Sequence, residues 1–181
     1  GTRPTFGDNI ATERARAQRR LAEIDGELAD LRHQRSTVAS AVWDEVTDRV
    51  PLVSSRRERL EADIAALVNE RRRLRTLLRP DRTYLKVDAT GDGRLVEVHG
   101  DLDRATKVAI YVPGFATTID DYLVRPKAKR LVDGLRNADP DVAVIDFLDY
   151  DPPDWDITEA PLVAGEDRAT AGARCLAALV A

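Results

Sequence analysis

The sequence predicts an α/β fold in two parts, an antiparallel helical hairpin over residues 1–80 and a sheet-based unit over residues 81–181. Three observations carry this. Apolar residues recur at steps of three and four through the first part, which puts them on one face of a helix. At Pro80 the pattern changes to alternation and then to unbroken apolar runs, which suit strands. The charge changes too: residues 1–80 hold 16 Arg, no Lys and 13 acids, whereas residues 81–181 hold 12 basic and 19 acidic groups.

Residues 1–11, with Pro4 and Gly7, read as a loose lead-in, and Asp8 or Thr12 is the N-cap expected for the first helix. Leu21, Ile24, Leu28, Leu31, Val38 and Val42 form its apolar stripe, with Arg35 at one seam position. A second stripe comprises Leu60, Ile64, Leu67, Leu74 and Leu78, with Arg71 in the gap. This heptad-like spacing is that of coiled-coil packing, one helix lying along another. The bend is expected at residues 50–53, with Ser54 or Ser55 capping the second helix and Trp43 packing near the turn.

Beyond Pro80, residues 84–88 and 95–99 alternate apolar and polar positions around Thr90-Gly-Asp-Gly93, the chemistry of a β-hairpin turn. Residues 107–112 form an apolar run that ends in Pro113-Gly114, predicting a strand buried on both faces. A helix is expected from Thr118 or Asp120 to about residue 137, with Leu123, Leu131 and Leu135 toward the core. Pro126 should lie near its first turn or interrupt it. Residues 142–148 read as a further strand. An acidic, proline-bearing loop over residues 149–156 and a final amphipathic helix over about residues 166–180 complete the pattern.

Composition excludes several classes. With 43% apolar residues the chain holds enough for a core. Its Arg residues alternate with acids, which marks a solvated, ion-paired helix face, and no basic stripe with aromatics indicates a nucleic-acid partner. No apolar run reaches membrane-spanning length, and no signal-peptide pattern opens the chain. Gly1 in place of Met leaves a removed targeting segment open, so cytoplasmic and secreted locations both stand. Cys175 alone makes no internal disulfide. It reads as a core residue rather than a nucleophile paired with His99, and His33 as an exposed helix residue. Asp88, Thr90, Asp92 and Gly93 resemble the start of a calcium loop, but the last position falls on His99 where a bidentate Glu is required. No metal set and no cofactor are expected.

In their order (β-hairpin, strand, helix, strand, helix) these elements resemble the opening half of an α/β-hydrolase sheet. The residues Tyr84…Asp88-Ala-Thr-Gly-Asp-Gly-Arg94, Gly100-Asp-Leu-Asp103, Val112-Pro-Gly114, Asp139-Pro-Asp-Val-Ala-Val144 and Tyr150-Asp-Pro-Pro153 narrow this. In that order they resemble an actinobacterial α/β-hydrolase family of uncharacterised function, whose members often carry a helical region ahead of the hydrolase domain. The resemblance spans about residues 82–181 and implies a serine-hydrolase scaffold with esterase-like or amidase-like activity.

In that fold the loop after the third strand supplies an oxyanion-hole amide. The backbone of Phe115, with Ala116 second, is the candidate, and Gly114, Asp149, Tyr150 and Trp155 are candidate pocket residues. Of the four loop acids Asp149, Asp151, Asp154 and Asp156, Asp149 is the best placed. The catalytic residues are not in this chain. Its serines are Ser36, Ser40, Ser54 and Ser55, all in the helical part, and the acid and His of a triad would follow the nucleophile. The first expectation is therefore the N-terminal portion of a serine hydrolase. Its partner would be the C-terminal half of the domain, on the same gene product or a second chain. The alternative is a non-catalytic interaction module, with the hairpin binding a protein partner or dimerising. A secreted effector is a third reading, though Trp43-Asp-Glu45 departs from the Trp-x-Gly bend of such helical hairpins.

Overall fold

A computed structural model describes residues 5–44, 50–114, 117–124 and 127–149, together with isolated helical positions at 170, 173–174 and 177. The expected final helix, Cys175 and the side chain of Trp43 lie outside the described residues. The chain divides into two compact units, Arg16–Leu78 and a second made of Gly1–Ala15 with Arg79–Ala181.

Two long helices, α1 (Phe6–Asp44) and α2 (Val50–Leu77), account for the helical part. Within the first unit, Ala17, Ile24, Leu28, Val38, Leu60, Ile64, Leu74 and Leu77 are buried. Leu77 replaces the expected Leu78 at the end of the second stripe. Arg20 reaches from α1 to Glu70 of α2 through two hydrogen bonds of 2.8 and 2.9 Å, and Arg71 meets Asp25 at 3.0 Å. Arg20 lies 24 positions before the end of α1 and Glu70 lies 20 positions after the start of α2, so the pair is antiparallel. The bend is not at residues 50–53, which are helical. Pro51 lies in the first turn of α2, where a missing amide costs nothing, and Ser54 and Ser55 are therefore inside the helix rather than caps. No helix is long and apolar enough to cross a membrane among the described residues.

The lead-in is shorter than expected, because α1 starts at Phe6. Its cap is Thr5, whose hydroxyl accepts the Asp8 amide while the Asp8 carboxylate accepts the Thr5 amide and hydroxyl. This reciprocal box needs an acidic or amide side chain three positions after the cap. The remaining first-turn amides, Phe6 and Gly7, donate to the two oxygens of Asp103 at 3.1 Å each. The first turn thus has an acceptor for each amide that the helix itself cannot satisfy.

The second unit contains a four-stranded sheet of β1 (Tyr84–Asp88), β2 (Arg94–His99), β3 (Lys107–Tyr111) and β4 (Val142–Leu148) in the order β1-β2-β4-β3. β1 and β2 form the expected hairpin, with a bulge between Tyr84 and Lys86. Gly91 and Gly93 take positive φ in the turn. β2 runs antiparallel to β4, and β3 parallel to it. Glu13 accepts the Val87 amide at 2.6 Å, which blunts the outer edge at β1.

The sheet corrects one expectation. Among the described residues β3 is not covered on both faces, with Val108 half exposed, and it lies at the end of the described strand order. Among the described strands β4 lies between β2 and β3, and all seven of its residues are buried. The described part of the expected helical segment consists of α3 (Ile119–Val124) and α4 (Lys127–Ala138), and Pro126 lies outside the described residues. Their buried residues are Ile119, Tyr122 and Val132, whereas of the expected core positions Leu123 and Leu135 are half-buried and Leu131 is exposed.

Candidate functional site

The alternation of β2 suggests that Glu97 and His99 face water, yet Glu97 is only 3% exposed. Register explains this. Leu95, Glu97 and His99 pair with Leu148, Asp146 and Val144, so these six residues share one sheet face. The opposite face is apolar, with Val96, Ile145 and Phe147 at its centre and Leu85, Leu102 and Ile110 against them. A charged strip therefore runs through an otherwise apolar sheet, with Asp146 at 1% exposure.

Burying two facing acids is unfavourable unless other groups neutralise or bond them. Arg82 supplies a forked pair of hydrogen bonds, 2.9 Å to each oxygen of Glu97. From α3, the Tyr122 hydroxyl lies 2.5 Å from Glu97 Oε2 and 2.5 Å from Asp146 Oδ2. His99 Nε2 is 3.0 Å from the same Asp146 oxygen. The Arg82 guanidinium also lies 5.9 and 5.8 Å from the ring centroids of Tyr84 and Tyr122, within cation–π range. Burial, reinforced by the charge of Glu97 and then Asp146, pushes the Tyr122 hydroxyl well above its ordinary value, so it keeps its proton. Burial acts against the charge of Arg82, but hydrogen bonding and attraction to Glu97 prevail and push its pKa up.

Glu97, His99 and Asp146 each offer a ligand atom within 4.8 Å of the others. This donor set does not fit a metal well. Arg82 engages both oxygens of Glu97, and Tyr122 Oη stands between the two acids where a cation would bridge them. The arrangement serves instead as an internal network tying β2, β4 and α3 together.

The sheet brings two sequence-predicted site residues to one edge. Tyr111 and Asp146 are partners in the parallel pair, and Gly114 and Asp149 each follow three positions later. Both lie past the carboxyl ends of adjacent parallel strands, the edge where open α/β sheets place their sites. Thr117 Oγ1 donates to the Gly114 carbonyl at 2.7 Å. Asp149 is buried, and both its oxygens accept from Lys86 Nζ, at 2.7 and 2.8 Å, so an ion pair occupies the carboxylate. Phe115, Ala116, Tyr150 and Trp155 lie outside the described residues.

An α/β-hydrolase family model matches residues 88–181, just over half of the chain. The chain belongs to that α/β-hydrolase family. No curated protein matches it, and no solved structure does. In this hydrolase domain the cluster of Arg82, Glu97, Tyr122 and Asp146 is what sequence reasoning missed. The available signal was Asp146, an acid inside the apolar run of β4, which is atypical of strands covered on both faces.

Proposed function

We propose that the α/β part of this chain is the N-terminal portion of a serine hydrolase domain with esterase-like or amidase-like activity. The Phe115 backbone amide, with Ala116 second, serves as an oxyanion-hole donor. Gly114 borders the acyl pocket, to which Tyr150 and Trp155 contribute, and Asp149 braces its edge through Lys86. The nucleophile, acid and His come from polypeptide outside this sequence.

The observation that carries the reading is the loop after β3. Gly114 and Thr117 flank it at the carboxyl edge of a parallel strand pair, in a chain of the α/β-hydrolase family. A backbone amide aimed at developing negative charge demands little of neighbouring side chains, so the mixed run Gly114-Phe-Ala-Thr117 is compatible with that role. The absence of serine from residue 81 onward requires the nucleophile to come from elsewhere in the working enzyme.

Intact mass under denaturing conditions, before and after incubation with a fluorophosphonate, tests this. A longer chain or second polypeptide that carries these residues and gains the probe mass is the expected result. If only a 20.1 kDa species is present and it gains nothing, the serine-hydrolase reading fails for this material and the interaction-module reading takes its place.

A further inference from the structure

We infer that Tyr122 is a positioning residue for the loop between β3 and α3, an inference that rests on the oxyanion role proposed for that loop. Buried side chains hold α3 in place. Its two buried residues are Ile119 and Tyr122. Ile119 lies against Gly93, where an added Cβ would stand 2.4 Å from Ile119 Cγ2, and its amide donates to the Asp92 carbonyl at 3.0 Å. That ties the start of α3 to the β1–β2 turn. One turn later, Tyr122 ties α3 to β2 through Glu97 and to β4 through Asp146. Thr118 and Asp121 cap the helix reciprocally, and Thr117 closes back on Gly114. Among the described residues, Ile119 thus ties the downstream flank of the loop to the β1–β2 turn, and Tyr122 ties it to β2 and β4.

The hydroxyl is the part that matters. Without it, Glu97 keeps Arg82 and Asp146 keeps its contact with His99, but the one hydroxyl that stands between the two opposed acids is lost, and like charges so placed repel. α3 would then lose its inner anchor while the sheet keeps its backbone pairing. Amide donors of an oxyanion hole act through placement, and a displacement of about 1 Å costs on the order of 10²-fold in rate.

The test compares Y122F, Y122F/D146N and V132A, made in the longest polypeptide that carries this sequence. Amide exchange at Thr117, Thr118 and Ile119 is read beside kcat and KM for p-nitrophenyl acetate. Y122F should exchange about tenfold faster at those three amides than V132A, which loosens the core without touching the cluster. Its kcat should fall about 10²-fold, with KM within about twofold. Neutralising Asp146 in the double variant should recover most of both effects. Equal exchange in Y122F and V132A, or no recovery in the double variant, overturns the assignment. If Y122F does not fold, a folded double variant upholds the assignment and an unfolded one overturns it. If the wild-type polypeptide hydrolyses no ester and takes no fluorophosphonate, the serine-hydrolase reading fails, and the exchange comparison alone decides whether Tyr122 holds the loop.

Discussion

Glu97 and Asp146 face each other as paired residues on adjacent antiparallel strands, and one tyrosine hydroxyl, that of Tyr122, stands between their carboxylates. Two acids in this position would ordinarily destabilise a sheet. They are tolerated because Arg82, His99 and Tyr122 converge on them from outside the two strands or from their ends. The stability of the sheet's centre therefore depends on side chains that are far apart in the sequence.

Arg82 is the cation of this cluster, and its side chain is 16% exposed against 4% for Glu97. Replacing Arg82 by Met should destabilise the protein by about 3–5 kcal/mol, because Glu97 stays buried without its partner. R82M/E97Q should cost clearly less than the sum of the two single changes. Urea denaturation of the four proteins gives the coupling, and an additive result would show that the pair contributes nothing as a pair.

Gly93 has φ 78° and no space for a side chain, whereas Gly91 has φ 53° and open surroundings. G93A should therefore cost about 2–4 kcal/mol, combining backbone strain with the clash against Ile119. G91A should cost about 1–2 kcal/mol, from backbone strain alone. Thermal midpoints of the two variants check the order, and a larger loss in G91A would contradict the packing described for Ile119.

Asp103 accepts the amides of Phe6 and Gly7, the first two donors of α1. D103A should cost about 1–2 kcal/mol, the range for removing a helix-capping acceptor. Exchange at the Phe6 and Gly7 amides should rise, while that of the Val87 amide, held by Glu13, should not.

Lys107 and Asp139 are joined at 2.7 Å on the surface. The hydrogen bond from Lys107 is the main cause that holds Asp139 below its ordinary value of 3.8, and the same bond raises Lys107 above 10.5. The lowered acid contributes stability that is complete above pH 3.8 and disappears as pH falls through its folded value. The raised base contributes below pH 10.5 and loses its share as pH rises through its folded value. The difference in midpoint between wild type and D139N should be flat between these limbs, shrink on both sides and diminish with salt. A difference that persists unchanged at pH 2 would exclude the ion pair as its source.

Much of the architecture was legible because it depends on neighbours in sequence. The three-and-four spacing identified the helices, and Thr90-Gly-Asp-Gly93 identified the hairpin turn. The cap of α1 is not legible in the same way, because Thr5 is the cap and half of the acceptors for the first-turn amides come from Asp103. At the candidate site, the loop after β3 was recognisable from Pro113-Gly114. The cluster behind it was not, because Glu97 in an alternating strand looks the same whether its face meets water or a helix.

By itself, the sequence determined that the first part is helical and the second holds strands, and that the sheet part belongs with α/β hydrolases. Those properties follow from local periodicity, turn chemistry and ordered motifs. Only the tertiary structure decided that, among the described strands, β4 lies between β2 and β3, and that Asp146 meets Glu97. Pairing partner and register are non-local choices, and a shift of one residue moves every side chain to the other face. Tyr122, Arg82 and His99 acquire their shared role from that register alone.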